Sequence, residues 1–113
     1  YSGVISNRPE LSSLAVGAGS ESGERIAAFP FDEDYEEDLE SGIADIKQCT
    51  LEGGADHIHA ARFLNRFIEN NVPWLHTDLS SSNRKGGLGA ALSEVNGFGV
   101  NFGIHVLKKV LQK

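Results

Sequence analysis

The sequence has no methionine, one cysteine, three prolines and one tryptophan in 113 residues. A single cysteine, Cys49, excludes an internal disulfide and fits a reducing compartment. Apolar runs are short. None approaches the roughly 18 residues a membrane helix needs, so no membrane partner is expected. Positive charge is scarce as well. Ten Lys and Arg stand against sixteen Asp and Glu, a formal net charge of -6, which argues against an electrostatic grip on nucleic acid. Translation begins with methionine and this chain opens at Tyr1, so the expectation is a piece excised from a longer protein. What is present is ordinary: 40% hydrophobic and 23% charged residues, the composition and length of one globular domain.

Apolar spacing divides the chain into alternating elements. Tyr1 to Ser6 reads as a short strand. Pro9 to about Val16 reads as a helix, with Asn7 as its cap and Pro9 in its first turn, weakened beyond that by Gly17, Gly19 and Gly23. The apolar stretch RIAAFPF leads into DEDYEEDLE, seven carboxylates in nine residues, which reads as a solvated loop and short helix. GIADIKQCT, residues 42 to 50, reads as a strand. Ala60, Phe63, Leu64, Phe67 and Ile68 recur at helical spacing, with Asp56 in the first turn and Asn70, Asn71 and Pro73 at the end. VPWLHTDLS is the next strand. Val100, Ile104, Leu107 and Leu111 then mark the apolar face of a last helix. This order predicts an α/β fold: a partial mixed sheet flanked by helices in α/β/α layers, with at least some parallel strands. So few short strands make a poor sheet alone, and exposed sheet edge and apolar surface predict self-association.

Three groups of residues carry candidate chemistry. His57 and His59 form an Asp-His-x-His cluster, but on a helix positions i and i+2 diverge by about 200°, so one ion is not readily shared. His76 and Asp78 lie two apart on a strand and share a face, where a carboxylate can orient an imidazole. No G-x-S-x-G elbow surrounds Ser80, Ser81 or Ser82, so no serine triad is built on that pair. RKGGLGA lacks the G-x-x-x-x-G-K-[ST] pattern of a phosphate cradle. Cys49 has no activating partner nearby in sequence, and a buried, inert thiol is the expectation for it. On these residues the chain is an α/β piece without a complete active site.

Five segments in order give it a family. YSGVISN, FPFDEDYEEDLESGIADIKQ, GGADHIHAARFLNRFI, PWLHTDLSS and NGFGVNFGIHVL resemble the C-terminal part of the leucyl (cytosol) aminopeptidase family. The second, third and fourth are similar to its patterns P-L-x-x-x-Y-x-x-x-L-x-S-x-x-A-D-I-x-N, G-G-A-x-x-A-A-x-F-L-x-x-F and x-W-x-H-x-D-I-A-G. The resemblance covers nearly the whole chain. It implies that residues 1–113 are the C-terminal portion of a catalytic domain in a zinc-peptidase-like fold. In that family two divalent cations, zinc or manganese, polarise the peptide carbonyl and activate water. Their ligands and the catalytic N-T-D-A-E-G-R motif lie upstream and do not occur here. The resemblance therefore implies no catalytic residue and no metal on this chain, which alone should be inactive.

It implies substrate contacts instead. Cys49 aligns near the pocket for the residue after the cleaved bond, and Ser80 and Asn83 near the pocket for the N-terminal side chain. Family members often carry apolar residues at the last two positions, so a more polar pocket is expected. His76 and Asp78 match the family's H-x-D and are structural there, while Gln48 stands in place of an Asn. The implied partners are a peptide substrate, the missing N-terminal part of the same chain and, in the full-length protein, further copies in a hexamer. A cytoplasmic location is the matching expectation. The alternative is a non-catalytic paralogue, or an autonomous binding or assembly domain of the same fold.

Overall fold

A computed structural model describes residues 1–49, 54–79, 84–87 and 92–112. Strand β1, Ser2–Ser6, is buried along its whole length because it is the middle of a three-stranded sheet of order β2-β1-β3. Strand β2, Ile26–Ala28, runs parallel to it, with Ser2 opposite Ile26 and Val4 opposite Ala28. Strand β3, Leu75–Asp78, runs antiparallel, with Gly3 opposite Asp78 and Ile5 opposite His76. The sheet is mixed, as expected, and β1 and β2 are joined by helix α1, Pro9–Ser22.

Successive strand residues point to opposite faces, and the two apolar neighbours at the centre of β1 fill two separate cores. Val4 packs with Ala15 and Ala18 of α1, with Ile26, and with Phe102 of helix α3, Val100–Leu111. Ile5 packs with Ile58 and Ala61 of helix α2, Asp56–Asn65, bordered by Phe31, Tyr35 and Trp74. Burying each aliphatic side chain contributes roughly 1.5–3 kcal/mol. Helices α1 and α3 thus cover one face and α2 the other, which makes the three layers.

Helix α1 continues six residues past the expected end near Val16. Its buried face is Ala15, Ala18, Gly19 and Ser22, a stripe of small residues at helical spacing that lets it lie close to the sheet. Packing overrides the poor helix propensity of its glycines, and Gly23, at φ 77°, ends it in the left-handed region. Asn7 is not its cap. Arg8 occupies that position without a side-chain bond to the helix, and Asn7 turns to the segment before β3, where it accepts from the Trp74 amide at 3.0 Å and donates to the Val72 carbonyl at 2.9 Å.

Residues 42–49, the described part of the expected strand 42–50, do not form it: 42–46 are bends, and 47–49 have no regular structure. Ile43 stands fully in solvent, so the segment buries no alternating face. The Lys47 amide donates to the Leu39 carbonyl, closing an irregular loop. The acidic run before it forms two 3-10 turns, Glu33–Tyr35 and Glu37–Leu39.

Helix α3 is where expected, but its faces are reversed. Phe102 is buried and Val106 partly so, while Val100, Ile104, Leu107 and Leu111 face outward. A long-range carboxylate holds its start. Glu24 Oε2 accepts from the backbone amides of Gly99, at 3.0 Å, and Phe102, at 2.9 Å. This satisfies two amides that no residue of the helix can reach, and places negative charge at the positive end of the helix dipole. Replacing Glu24 by Ala is expected to cost about 1–2 kcal/mol. Urea denaturation would measure it, and an unchanged midpoint would mean that water serves those amides equally well.

Candidate functional site

The α2 face of the sheet gathers the polar residues singled out in the sequence. Helix α2 forms as expected, but Ile58, Ala61 and Arg62 are its buried residues. Leu64 and Phe67 are exposed. The acidic run folds against this helix rather than remaining wholly solvated. Glu36 accepts from Nε of Arg62 at 2.7 Å and from Nε of Arg66 at 2.5 Å. Burial pushes the Glu36 carboxyl upward, but hydrogen bonds and charge from Arg62 and Arg66 outweigh it and leave the group below the usual range. Asp38 accepts from Nε2 of His59 at 2.8 Å, and Tyr35 meets the His59 ring edge-on at 5.7 Å.

Between this folded run and α2 lies a cavity of about 530 Å³. Leu39, Gln48 and Cys49 line one side, and Asp56, His59, Ala60, Phe63 and Leu64 the other. The apolar residues whose spacing marked α2 in the sequence therefore line this cavity in part, instead of the sheet core. Cys49 is exposed on its wall, not buried as expected from residue type. Apolar walls with a thiol, an imidazole, a carboxylate and an amide suit an apolar side chain attached to a polar backbone.

At the other edge of α2, His76 and Asp78 do share a face of β3. The imidazole bonded to Asp78 is nevertheless His57, whose Nδ1 lies 2.5 Å from Oδ2. The His57 ring is covered by Phe29, with centroids 5.2 Å apart. His57 and His59 thus diverge to carboxylates on different segments, as i and i+2 positions of a helix must. The cross-element pairing was not visible in the sequence. The only signal was a second histidine in the first turn of a helix preceding an H-x-D strand.

Like the Nδ1 of His59, the Nε2 of His76 is buried with no partner among the described residues. Burial pushes its basicity down, the Asp78 charge opposes this and the His57 charge adds to it, with a net shift below 6.5. The folded protein therefore resists a proton that the unfolded chain accepts, so this contribution to stability is lost as pH falls below about 6.5. Between pH 7.5 and 5.5 the parent protein is expected to lose more of its urea midpoint than a His76→Gln variant. Parallel losses would remove His76 as the cause.

Of the residues matched to substrate pockets, Cys49 lies on the cavity, whereas Ser80 and Asn83 lie outside the described residues. Among the described residues, no group of three or more His, Cys, Asp or Glu is arranged to hold a metal ion. None of the described helices is long and apolar enough to cross a membrane.

Comparison with known proteins adds a family. Residues 1–103 match the model of the cytosol aminopeptidase family, catalytic domain. A probable cytosol aminopeptidase of Ehrlichia ruminantium (strain Gardel) is 43% identical over 81 residues, which are 71% of this chain and 16% of that protein. Another, from Wolbachia pipientis wMel, is 35% identical over 100% of this chain and 22% of that protein. Among solved structures, the bottromycin maturation enzyme BotP superposes with a TM-score of 0.88 at 26% identity, over 99% of this chain and 25% of its own. BotP in complex with Mn gives 0.86 at 27% identity, over 96% of this chain and 24% of its own. The chain thus spans about a fifth of the length of the curated relatives it matches.

Proposed function

The chain belongs to the cytosol aminopeptidase family, and we propose that residues 1–113 are the C-terminal portion of the catalytic domain of a metal-dependent aminopeptidase. The whole enzyme removes N-terminal residues from peptides, using two divalent cations, zinc or manganese. The described residues do not fit such a centre. His57 and His59 are each committed to a separate carboxylate, and no third donor converges with either. The part of this chain is substrate contact.

One observation carries this reading. Cys49, the position that resemblance matches to the pocket for the residue after the cleaved bond, lines a cavity walled by Leu39, Ala60, Phe63 and Leu64. Ser80 and Asn83 are the proposed contacts for the N-terminal side chain, and their polarity favours a pocket less devoted to leucine. The whole protein is proposed to be cytoplasmic and homo-oligomeric; the outward apolar stripe on α3 supports a further contact surface.

The test is peptide hydrolysis by the full-length protein that contains this chain. Leucyl, seryl and asparaginyl dipeptides should be cleaved with manganese or zinc present, and cleavage should stop on chelation. The 113-residue chain alone should cleave none. Turnover by the isolated chain would refute the division of labour. No turnover by the full-length protein would favour a non-catalytic paralogue. A strong leucine preference over the other two would remove the polar-pocket assignment.

A further inference from the structure

The first turns of α2 carry two imidazole–carboxylate pairs that pull in different directions. His57 Nδ1–H donates to Asp78, the last residue of β3. His59 Nε2–H donates to Asp38 in the second 3-10 turn, beside the buried Leu39 of the cavity wall. Both pairs are partly open to water: side-chain exposures are 37% and 32% for the first, 14% and 55% for the second. Pairs so exposed contribute little to stability. Their geometry is nevertheless tightly defined. Phe29 covers the His57 ring and lies against Gly3, where an added Cβ would sit 2.9 Å from Phe29 Cε2. Gly3 is the register partner of Asp78, so the ring, its cover and its carboxylate meet at one point of the sheet. Tyr35 fixes the His59 ring from the side. The residue after Asp78, Leu79, is held from the opposite side of the sheet, with Cδ1 3.0 Å from where a Cβ on Gly99 would lie.

We propose that His57 and His59 are positioning residues that tie the end of β3 and the Leu39–Cys49 wall to one helix, and so set how the first and second residues of a peptide fit. This rests on the aminopeptidase reading. Each holds a carboxylate on a neighbouring segment, and α2, which itself supplies His59, Ala60, Phe63 and Leu64 to the cavity, is the rigid body between them. Small displacements of a bound peptide weaken productive binding steeply.

The experiment uses the full-length protein with His57→Ala, His57→Asn, His59→Ala and His59→Gln, and dipeptides varied separately at the first and second residue. An Asn amide nitrogen lies near the place of imidazole Nδ1, and a Gln amide nitrogen near that of Nε2, so each amide variant keeps the donor. His57→Ala should raise KM about tenfold, with kcat within about twofold, and change the ranking of first residues. His59→Ala should do the same for second residues, as should Asp38→Ala, which removes the tie and leaves the lining His59 in place, and the amide variants should restore most of the loss. Unchanged KM and rankings, or equal effects of Ala and amide variants, would overturn the proposal. If the unsubstituted protein cleaves no peptide, the aminopeptidase reading fails by itself, and amide hydrogen exchange then decides the positioning. Faster exchange confined to residues 75–79 for His57→Ala and 39–49 for His59→Ala supports it. Unchanged exchange there overturns it.

Discussion

A Gly19→Ala protein is expected to be less stable than its parent by about 1–3 kcal/mol, although the substitution favours helix formation by about 1 kcal/mol. Gly19 lies inside α1 on its buried face. A Cβ there would sit 2.5 Å from Cγ1 and 2.7 Å from Cβ of Ile26, and 3.1 Å from the Glu24 carbonyl oxygen. The Ile26 Cβ is fixed to the backbone of β2 and cannot rotate away, so helix and strand would have to separate. That separation would disturb the Glu24 carboxylate, which holds the first turn of α3. Gly17→Ala is the matched control. Its Cβ would meet only the end of the Lys109 side chain, at 3.9 Å, so propensity should prevail and raise stability by up to about 1 kcal/mol. Opposite signs in urea denaturation are the expected result. A neutral or stabilising Gly19→Ala would disprove the close approach of α1 to β2.

The same contact explains why the end of α1 was hard to read. Three glycines after Val16 argue against a helix when each is judged alone. The signal for continuation is the spacing of Ala15, Ala18, Gly19 and Ser22, which describes a face made to lie flat on a sheet. Strand β2, at three residues, is too short to leave an alternating pattern. Residues 42–49 had β-forming residues but no partner strand among the described residues, and strand structure exists only when paired. The stripe on α3 was legible as a helix but not as a surface. Periodicity reports that Val100, Ile104, Leu107 and Leu111 share a side, not which side meets this sheet. β1, α2 and β3 were legible as elements from apolar content and the turn residues around them, although the apolar stripe of α2 does not mark its buried face.

The site was legible to a different degree. Cys49 was found through family resemblance and stands on the cavity wall. The H-x-D face of β3 followed from strand period alone. Its pairing with His57 did not, because that contact depends on the Gly3–Asp78 register and on where α2 crosses the sheet. Likewise, nothing in DEDYEEDLE distinguishes Glu36 and Asp38, which bind α2, from neighbours that stay in water.

Of the two arginines that hold Glu36 to α2, Arg62 is the buried one. Arg62→Ala is expected to cost about 2–4 kcal/mol, somewhat below the range for breaking a fully buried pair, because Glu36 remains about a third exposed. Arg62 is 8% exposed, its guanidinium lies 4.3 Å from the Phe31 ring centre, and its Nε donates to Glu36. Truncation removes the buried stem, the cation over the ring and one of the two partners of Glu36. Arg62→Met keeps much of the stem, so it should lose about half as much. The depressed Glu36 carboxyl gives stability that is present above its ordinary value of 4.5 and lost as pH falls through the lower folded value. Both variants should therefore show a shallower fall in urea midpoint between pH 6 and pH 3 than the parent. Because the acidic run carries Leu39 and Asp38, hydrogen exchange at residues 33–40 should quicken while that at β1 changes little. An equally steep acid dependence in the parent and in Arg62→Met would show that Arg66 alone sustains Glu36. The wall of the Cys49 cavity would then be independent of the helix core.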